Sequence, residues 1–217
     1  MKRDFIKDRY GRNDLIPLMV LGGAIILILI GLIFANFFFF TTEDLPDDNG
    51  RFLDEQIVDR GDPFLYLEVS GYGTIKIDLA EDKAPVTVAN MVKLCNQDFY
   101  DGLTFHRVIE GFMLQGGDPN GDGTGGPGYT IEPETDNGLT HERGAIAMAK
   151  RGGETRMSGS QFYIVHQAAN HLDGEHTVFG KVVEGMDVVD RIAQTQTDAN
   201  DRPVNTVLIT DMYVEYE

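Results

Sequence analysis

Hydrophobic residues are distributed along the chain in three successive patterns. Between residues 15 and 42 there is no charge, and 18–40 is almost continuously apolar, reading LMVLGGAIILILIGLIFANFFFF. That run exceeds the ~20 residues with which a helix crosses ~30 Å of hydrocarbon. Pro17 falls in the first turn, where a helix tolerates it. The pattern predicts one N-terminal transmembrane helix over 15–40. A cleavable signal peptide is the alternative, but its apolar core usually runs ~7–15 residues and ends in small residues. Here Asn36 and the run from Phe37 to Phe40 stand at that end. Residues 41–62 then carry eight acids and two bases with little apolar content, the pattern of a solvated acidic linker.

From 63 onward alternation takes over, and 63–217 reads as one folded domain. Apolar and polar residues alternate over 64–70 and 74–79 about Gly71-Tyr72-Gly73, which predicts a hairpin. Pro85 opens a helix on which Val88, Met91, Val92 and Cys95 recur at helical spacing. Short strand-like runs follow at 104–109, 112–115, 145–149, 161–165 and 178–182. A second short helix is expected over 186–192 and a last strand over 207–216. Many short strands, two helices and 25 glycines for tight turns predict a mainly β domain, either a closed antiparallel barrel or a sandwich. Pattern alone leaves both open.

Charge orients this arrangement. Lys2, Arg3, Lys7, Arg9 and Arg12 precede the apolar run against Asp4, Asp8 and Asp14, whereas Glu43, Asp44, Asp47 and Asp48 follow it. Basic flanks stay in the cytoplasm, so residues 1–14 are expected there and the domain on the extracytoplasmic side of a single-pass membrane protein. The chain has 18 basic and 35 acidic residues, a net charge of −17; outside the 5 bases and 3 acids of 1–14 the balance is 13 to 32, or −19. Such a surface repels phosphate backbones, so no nucleic-acid partner is expected. The single cysteine, Cys95, excludes an internal disulfide framework and a multi-cysteine zinc site.

Three motifs suggest ligands that their surroundings do not support. Gly121 to Gly126 matches GxGxxG, but it follows Pro119 instead of a strand, and PGYTIEPE after it opens no helix for a pyrophosphate. Asp118, Asn120, Asp122 and Gly123 match the start of a calcium loop, yet Tyr129 occupies the position of its bidentate glutamate; a weak calcium site stays open. His166, His171 and His176 are evenly spaced, but five-residue steps do not share one helix face. Ser158 and Ser160 lack a nucleophile elbow, and Cys95 sits on an apolar helix face as inert packing.

The segment FHRVIEGFMLQGGD (105–118) is more informative. In a strand Arg107 alternates with Phe105 and Ile109 and could share their face. Its ordinary reading is a surface ion pair, and that of Phe112 and Met113 is core. Together with Gln115 they also suit an apolar pocket edged by one guanidinium and one amide, fitted to a neutral apolar ligand with a carbonyl.

This segment, with GTGGPGY (123–129), GAIAMA (144–149), GSQFYI (159–164) and LDGEHTVFGKVVEGM (172–186), resembles the cyclophilins, the cyclosporin-binding peptidyl-prolyl cis-trans isomerases. The match runs in order over about 64–216. It implies a closed eight-stranded antiparallel β-barrel capped by two helices. By position, Arg107 corresponds to the catalytic arginine, and Phe112, Met113, Tyr163 and Leu172 to walls of the proline pocket. His176 corresponds to its rim, Gln115 to the glutamine supporting arginine and substrate, and Ala149, Lys150 and Gln161 to contacts with the preceding residues of the peptide.

Departures from the family are local. His171 stands where well-known members carry a tryptophan that hydrogen-bonds cyclosporin, which puts cyclosporin binding in doubt but not catalysis. Tyr163 replaces the commoner phenylalanine, Lys150 replaces asparagine, and the stretch between Ala149 and Gly159 is slightly longer. The resemblance implies proline-containing polypeptides as partners and no metal, nucleotide or redox cofactor. Combined with the anchor, it points to folding of exported proteins outside the cytoplasm. A binding module that docks proline segments without turnover is the rival reading.

Overall fold

A computed structural model describes residues 61–150 and 153–217. The expected flank (1–14), transmembrane helix (15–40) and nearly all of the linker (41–62) lie outside the described residues. Among the described residues no helix is long and apolar enough to cross a membrane. The first hairpin is β1 (Pro63–Val69) and β2 (Gly73–Leu79). Strict alternation buries Leu65, Leu67 and Val69 on β1 and Ile75, Ile77 and Leu79 on β2. Helix α1 (Pro85–Cys95) follows and buries Thr87, Val88, Met91, Leu94 and Cys95; Val92 lies at the margin of that face. Ala84 supplies no side-chain cap, and the distant Glu134 replaces it, accepting from the Val86 and Thr87 N–H groups at 3.0 and 2.9 Å.

The remaining strands are β3 (Arg107–Ile109), β4 (Met113–Gly116), β5 (Thr130–Ile131), β6 (Ala145–Met148), β7 (Met157–Ser158), β8 (Phe162–Val165), β9 (Val178–Glu184) and β10 (Ile209–Tyr216). Helix α2 (Met186–Ala193) lies between β9 and β10. Eight strands form one antiparallel sheet in the order β10-β1-β2-β9-β6-β8-β4-β3, while β5 and β7 pair separately. The closed barrel expected above is not present as a continuous strand ladder. The end strands β3 and β10 are joined just ahead of each by the Thr104–Leu208 bridge and by the Phe105 N–H donating to Val207 at 3.0 Å. For the same reason the strand expected over 104–109 shortens to β3, because residues 102–105 are engaged with 207–209. Helix α1 packs against β10, and α2 against β2, β3 and β4.

The sheet separates two apolar clusters. Val108, Leu114, Ile164 and Ile146 lie in register across β3, β4, β8 and β6 and point into the main core with Phe105, Tyr100 and both helices. Met113, Tyr163, Val165, Ala145 and Ala147 point the other way into a smaller cluster with Ala149, Ala169 and Val178. Strands β6 and β8 are therefore buried on both faces and carry continuous apolar runs instead of alternation.

Where β9 crosses between β2 and β6, Gly180 pairs with Leu79 on one side and Ile146 on the other. A Cβ there would lie 2.5 Å from the Asp78 carbonyl oxygen and 3.2 Å from Ile146 Cγ2. Gly180→Ala is therefore expected to destabilise the domain by about 1–3 kcal/mol, the usual cost of overpacking. Chemical denaturation followed by circular dichroism measures it, and an unchanged midpoint would contradict the crossing geometry.

Candidate active site

The site residues are assembled by strand register on the face opposite the main core. Arg107 pairs with Gln115, Gln115 with Tyr163, and Tyr163 with Ala147, so one row crosses β3, β4, β8 and β6. A second row runs from Ile109 through Met113 to Val165. Phe112 and Leu172, both partly buried, close over the smaller cluster from the β3–β4 turn and from a 3₁₀ turn at Asn170–Leu172. Arg107 shares its face with Ile109, but Phe105 precedes the strand and enters the main core. The proposed pocket walls Phe112, Met113, Tyr163 and Leu172 thus meet in one cluster, with Arg107 at its edge.

Arg107 is half-exposed and its Nε–H donates to Asp201 Oδ2 at 3.3 Å. Asp201 adopts a left-handed backbone (φ 62), and its carbonyl accepts the Val108 N–H at 2.8 Å, so one loop residue holds both β3 and its arginine. No sequence signal ties Asp201 to Arg107 across 94 residues. Gln115 stands beside Arg107 by register, and its amide donates to Gln161 Oε1 at 2.9 Å. Gln161 in turn donates to the carbonyls of Gly123 and Gly125 at 3.1 and 2.8 Å. His171 is exposed and stacks on Phe112 with ring centroids 5.8 Å apart. Ala149 continues β6 as a buried residue, and Lys150 pairs with Glu175 at 2.9 Å.

Beneath Tyr163 runs a polar chain that no sequence motif marks. The buried Tyr163 hydroxyl lies 2.9 Å from His141 Nε2, and His141 Nδ1 lies 2.7 Å from Asp173 Oδ1. Asp173 also accepts the His141 backbone N–H at 2.8 Å, and these two bonds hold its carboxyl below the usual carboxylate range. An ionised carboxylate only accepts; in the neutral ring the proton therefore sits on Nδ1, and the tyrosine donates to Nε2. Burial, reinforced by the Asp173 charge, pushes the Tyr163 hydroxyl well above its ordinary value, so it stays protonated. His176 packs edge-on against Tyr163 at 5.6 Å, and its Nδ1 lies 3.0 Å from the Met148 carbonyl. Burial lowers the pKa of His176, which favours its neutral form at the pocket rim.

The three ligand-like motifs of the sequence have local partners. Asp118 Oδ1 accepts the Asn120 N–H, and Oδ2 accepts the N–H groups of Asp122 and Gly123, so its carboxylate is spent on its own loop. The glycines of 121–126 lie in that loop, where a side chain at Gly125 would strike Asp118 and where two carbonyls support Gln161. His166, His171 and His176 go to three different partners, and the described residues contain no group of three or more metal-type ligands. Cys95 is core, its thiol pushed up to about 12 by burial.

Comparison with known proteins accords with this geometry. The family model for "Cyclophilin type peptidyl-prolyl cis-trans isomerase/CLD" matches residues 64–214. Peptidyl-prolyl cis-trans isomerase B of Bacillus subtilis is 60% identical over 123 residues, 56% of this chain and 85% of that protein. A peptidyl-prolyl cis-trans isomerase of Synechococcus elongatus is 48% identical over 141 residues, 64% of this chain and 92% of that one. Longer relatives match over a part: the chain spans 30% of a peptidyl-prolyl cis-trans isomerase-like 2 protein of Rhizopus delemar at 42% identity. Among solved structures, a cyclophilin type isomerase of Cryptosporidium parvum, crystallised in the presence of the dipeptide Ala-Pro, superposes with a TM-score of 0.67 at 28% identity, covering 71% of this chain and 99% of that one. Family model, relatives and fold agree, and the chain belongs to the cyclophilin-type peptidyl-prolyl cis-trans isomerases.

Proposed function

We propose that this isomerase turns X–Pro bonds by hydrogen-bonding from Arg107 to the twisted amide, in a pocket walled by Phe112, Met113, Tyr163 and Leu172. We further propose that it does so on exported chains from a membrane anchor. The observation that carries the first part is the Arg107–Gln115–Tyr163 row, which sets one guanidinium beside an apolar cluster on the outer face. The Ala-Pro dipeptide used with the C. parvum relative supports a prolyl ring as the occupant.

Rotation about X–Pro must cross roughly 18–20 kcal/mol because the amide loses conjugation. No covalent step is required; the site has only to favour the twisted amide over both planar forms. As conjugation breaks, the proline nitrogen pyramidalises and gains a lone pair. With Nε committed to Asp201, the Nη hydrogens of Arg107 are the donors for that lone pair. A lysine would offer a mobile point charge in place of this fixed fork. Hydrogen bonds to charged groups contribute about 1.5–3 kcal/mol, roughly 10- to 100-fold in rate. The walls hold the ring while the preceding carbonyl turns, Gln115, held by the buried Gln161, presents its remaining amide oxygen to the peptide backbone, and Ala149, Lys150, His171 and His176 line its path. His171 in place of tryptophan leaves cyclosporin without that family contact.

The apolar run over 18–40 and the charge asymmetry around it support an anchor with a cytoplasmic N-terminus and an extracytoplasmic domain. Uncatalysed proline isomerisation takes tens of seconds or more, long enough to delay newly translocated chains.

Arg107→Ala in the full-length chain is expected to slow cis–trans exchange of an X–Pro peptide, read by exchange NMR, about 10- to 100-fold while peptide affinity changes little. Equal losses of rate and affinity would remove the donor role. Tyr163→Phe leaves His141 Nε2 buried without its donor and is expected to cost about 1–3 kcal/mol in denaturant unfolding; no loss would contradict the chain to Asp173. For the anchor, the full-length protein is expected to stay in the membrane pellet through an alkaline carbonate wash, and deleting residues 1–40 to release it. Release of the intact chain by that wash would end the anchor reading.

A further inference from the structure

The turn between β3 and β4 carries Phe112, and the protein holds that turn with a residue outside the pocket. His166 follows β8 and is buried. Its Nδ1 accepts the Gly111 N–H at 2.8 Å. Its own backbone N–H donates to the Phe112 carbonyl at 2.9 Å, and the Gln167 N–H approaches the same oxygen at 3.4 Å. One residue therefore binds the backbone on both sides of Phe112. Gly111 has φ +78, a left-handed conformation that suits glycine, and the Phe112 N–H closes the turn onto Ile109 at 3.0 Å.

The tautomer follows from the partners. A backbone N–H can only donate, so Nδ1 must present its lone pair, and the ring proton sits on Nε2. Nε2 lies 3.2 Å from Asp190 Oδ1 on α2. Arg143 fixes that carboxylate, donating to Oδ1 and Oδ2 at 2.7 and 2.8 Å, and also donates to the His166 carbonyl at 2.7 Å. Helix α2, through Asp190, thereby sets the imidazole that sets the turn.

We propose that His166 is a positioning residue for the isomerase: through the Gly111 N–H on Nδ1 it holds the β3–β4 turn where Phe112 walls the proline pocket. This rests on the role given to Phe112 above. His166 acts through the backbone of the turn. A wall that moves about 1 Å loses the geometry on which a positioning mechanism depends, at a rate cost far larger than its stability cost.

Two substitutions separate the bond to Gly111 from the bond to Asp190. His166→Asn places an amide oxygen near the position of Nδ1 and keeps an acceptor for Gly111, while giving up the reach to Asp190. His166→Gln extends its amide to the position of Nε2, keeps a donor for Asp190 and gives up the acceptor for Gly111. The full-length chain carrying each change, with Phe112→Ala beside them, is assayed by exchange NMR on one X–Pro peptide and by thermal unfolding. The expected result is a fall of about five- to tenfold in kcat/KM for His166→Gln and less than about twofold for His166→Asn, with similar melting temperatures. Equal losses in both variants would mean that His166 serves the fold alone and would overturn the proposal. Full activity of His166→Gln beside an impaired Phe112→Ala would overturn it as well, and would leave the role of Phe112 standing. Full activity of Phe112→Ala would instead remove that role and this inference with it.

Discussion

Because side chains alternate along a strand, residues paired across β3, β4, β8 and β6 divide into two sets facing opposite ways. Val108, Leu114, Ile164 and Ile146 form one set and close the main core; Arg107, Gln115, Tyr163 and Ala147 form the other and face the side of the smaller apolar cluster. A slip of one residue in any of these pairings would exchange the sets, burying a guanidinium and exposing a core leucine. The same register therefore makes the fold and the site. Each strand is short, only three or four residues in this region, and the core set leaves little freedom in how they align.

What the register does not fix is the depth and angle of the pocket, and there polar contacts take over. Asp201 holds Arg107 from the loop after α2, and Asp173 reaches beneath Tyr163 through His141. Gln161 ties the glycine-rich loop to Gln115. The partners come from loops distant in sequence, so the walls are set by several independent segments. For a reaction that needs no nucleophile and no proton transfer, such placement is the main contribution a protein can make.

The parts of this arrangement legible in the sequence are those governed by local periodicity. Alternation located β1 and β2, short strand-like runs located β4, β6, β8 and β9 within a residue or two, and Pro85 marked the start of α1. The two-residue strands β5 and β7 are too short to show a period, and residues 104–106 read as the start of a strand because the partners of 102–105 at 207–209 lie far off in sequence. Pattern left barrel and sandwich open, and the closed barrel that the resemblance implied is not formed: eight of the strands make one open sheet, with an isolated bridge between Thr104 and Leu208. The motif at 105–118 indicated Arg107, Phe112, Met113 and Gln115, while Asp201 and His141 stayed invisible and His166 stood out only as one of three evenly spaced histidines: each acts through partners from remote segments, which no local pattern marks.

The buried thiol of Cys95 bears on the reactivity of the domain itself. Burial pushes its pKa up to about 12, so the thiol form prevails at neutral pH. Thiolate is the species that attacks a disulfide and the species that peroxides oxidise most readily. The domain is thus close to inert toward thiol exchange and oxidation while folded. Toward a disulfide or a peroxide in its surroundings, the folded domain presents no accessible nucleophilic sulfur.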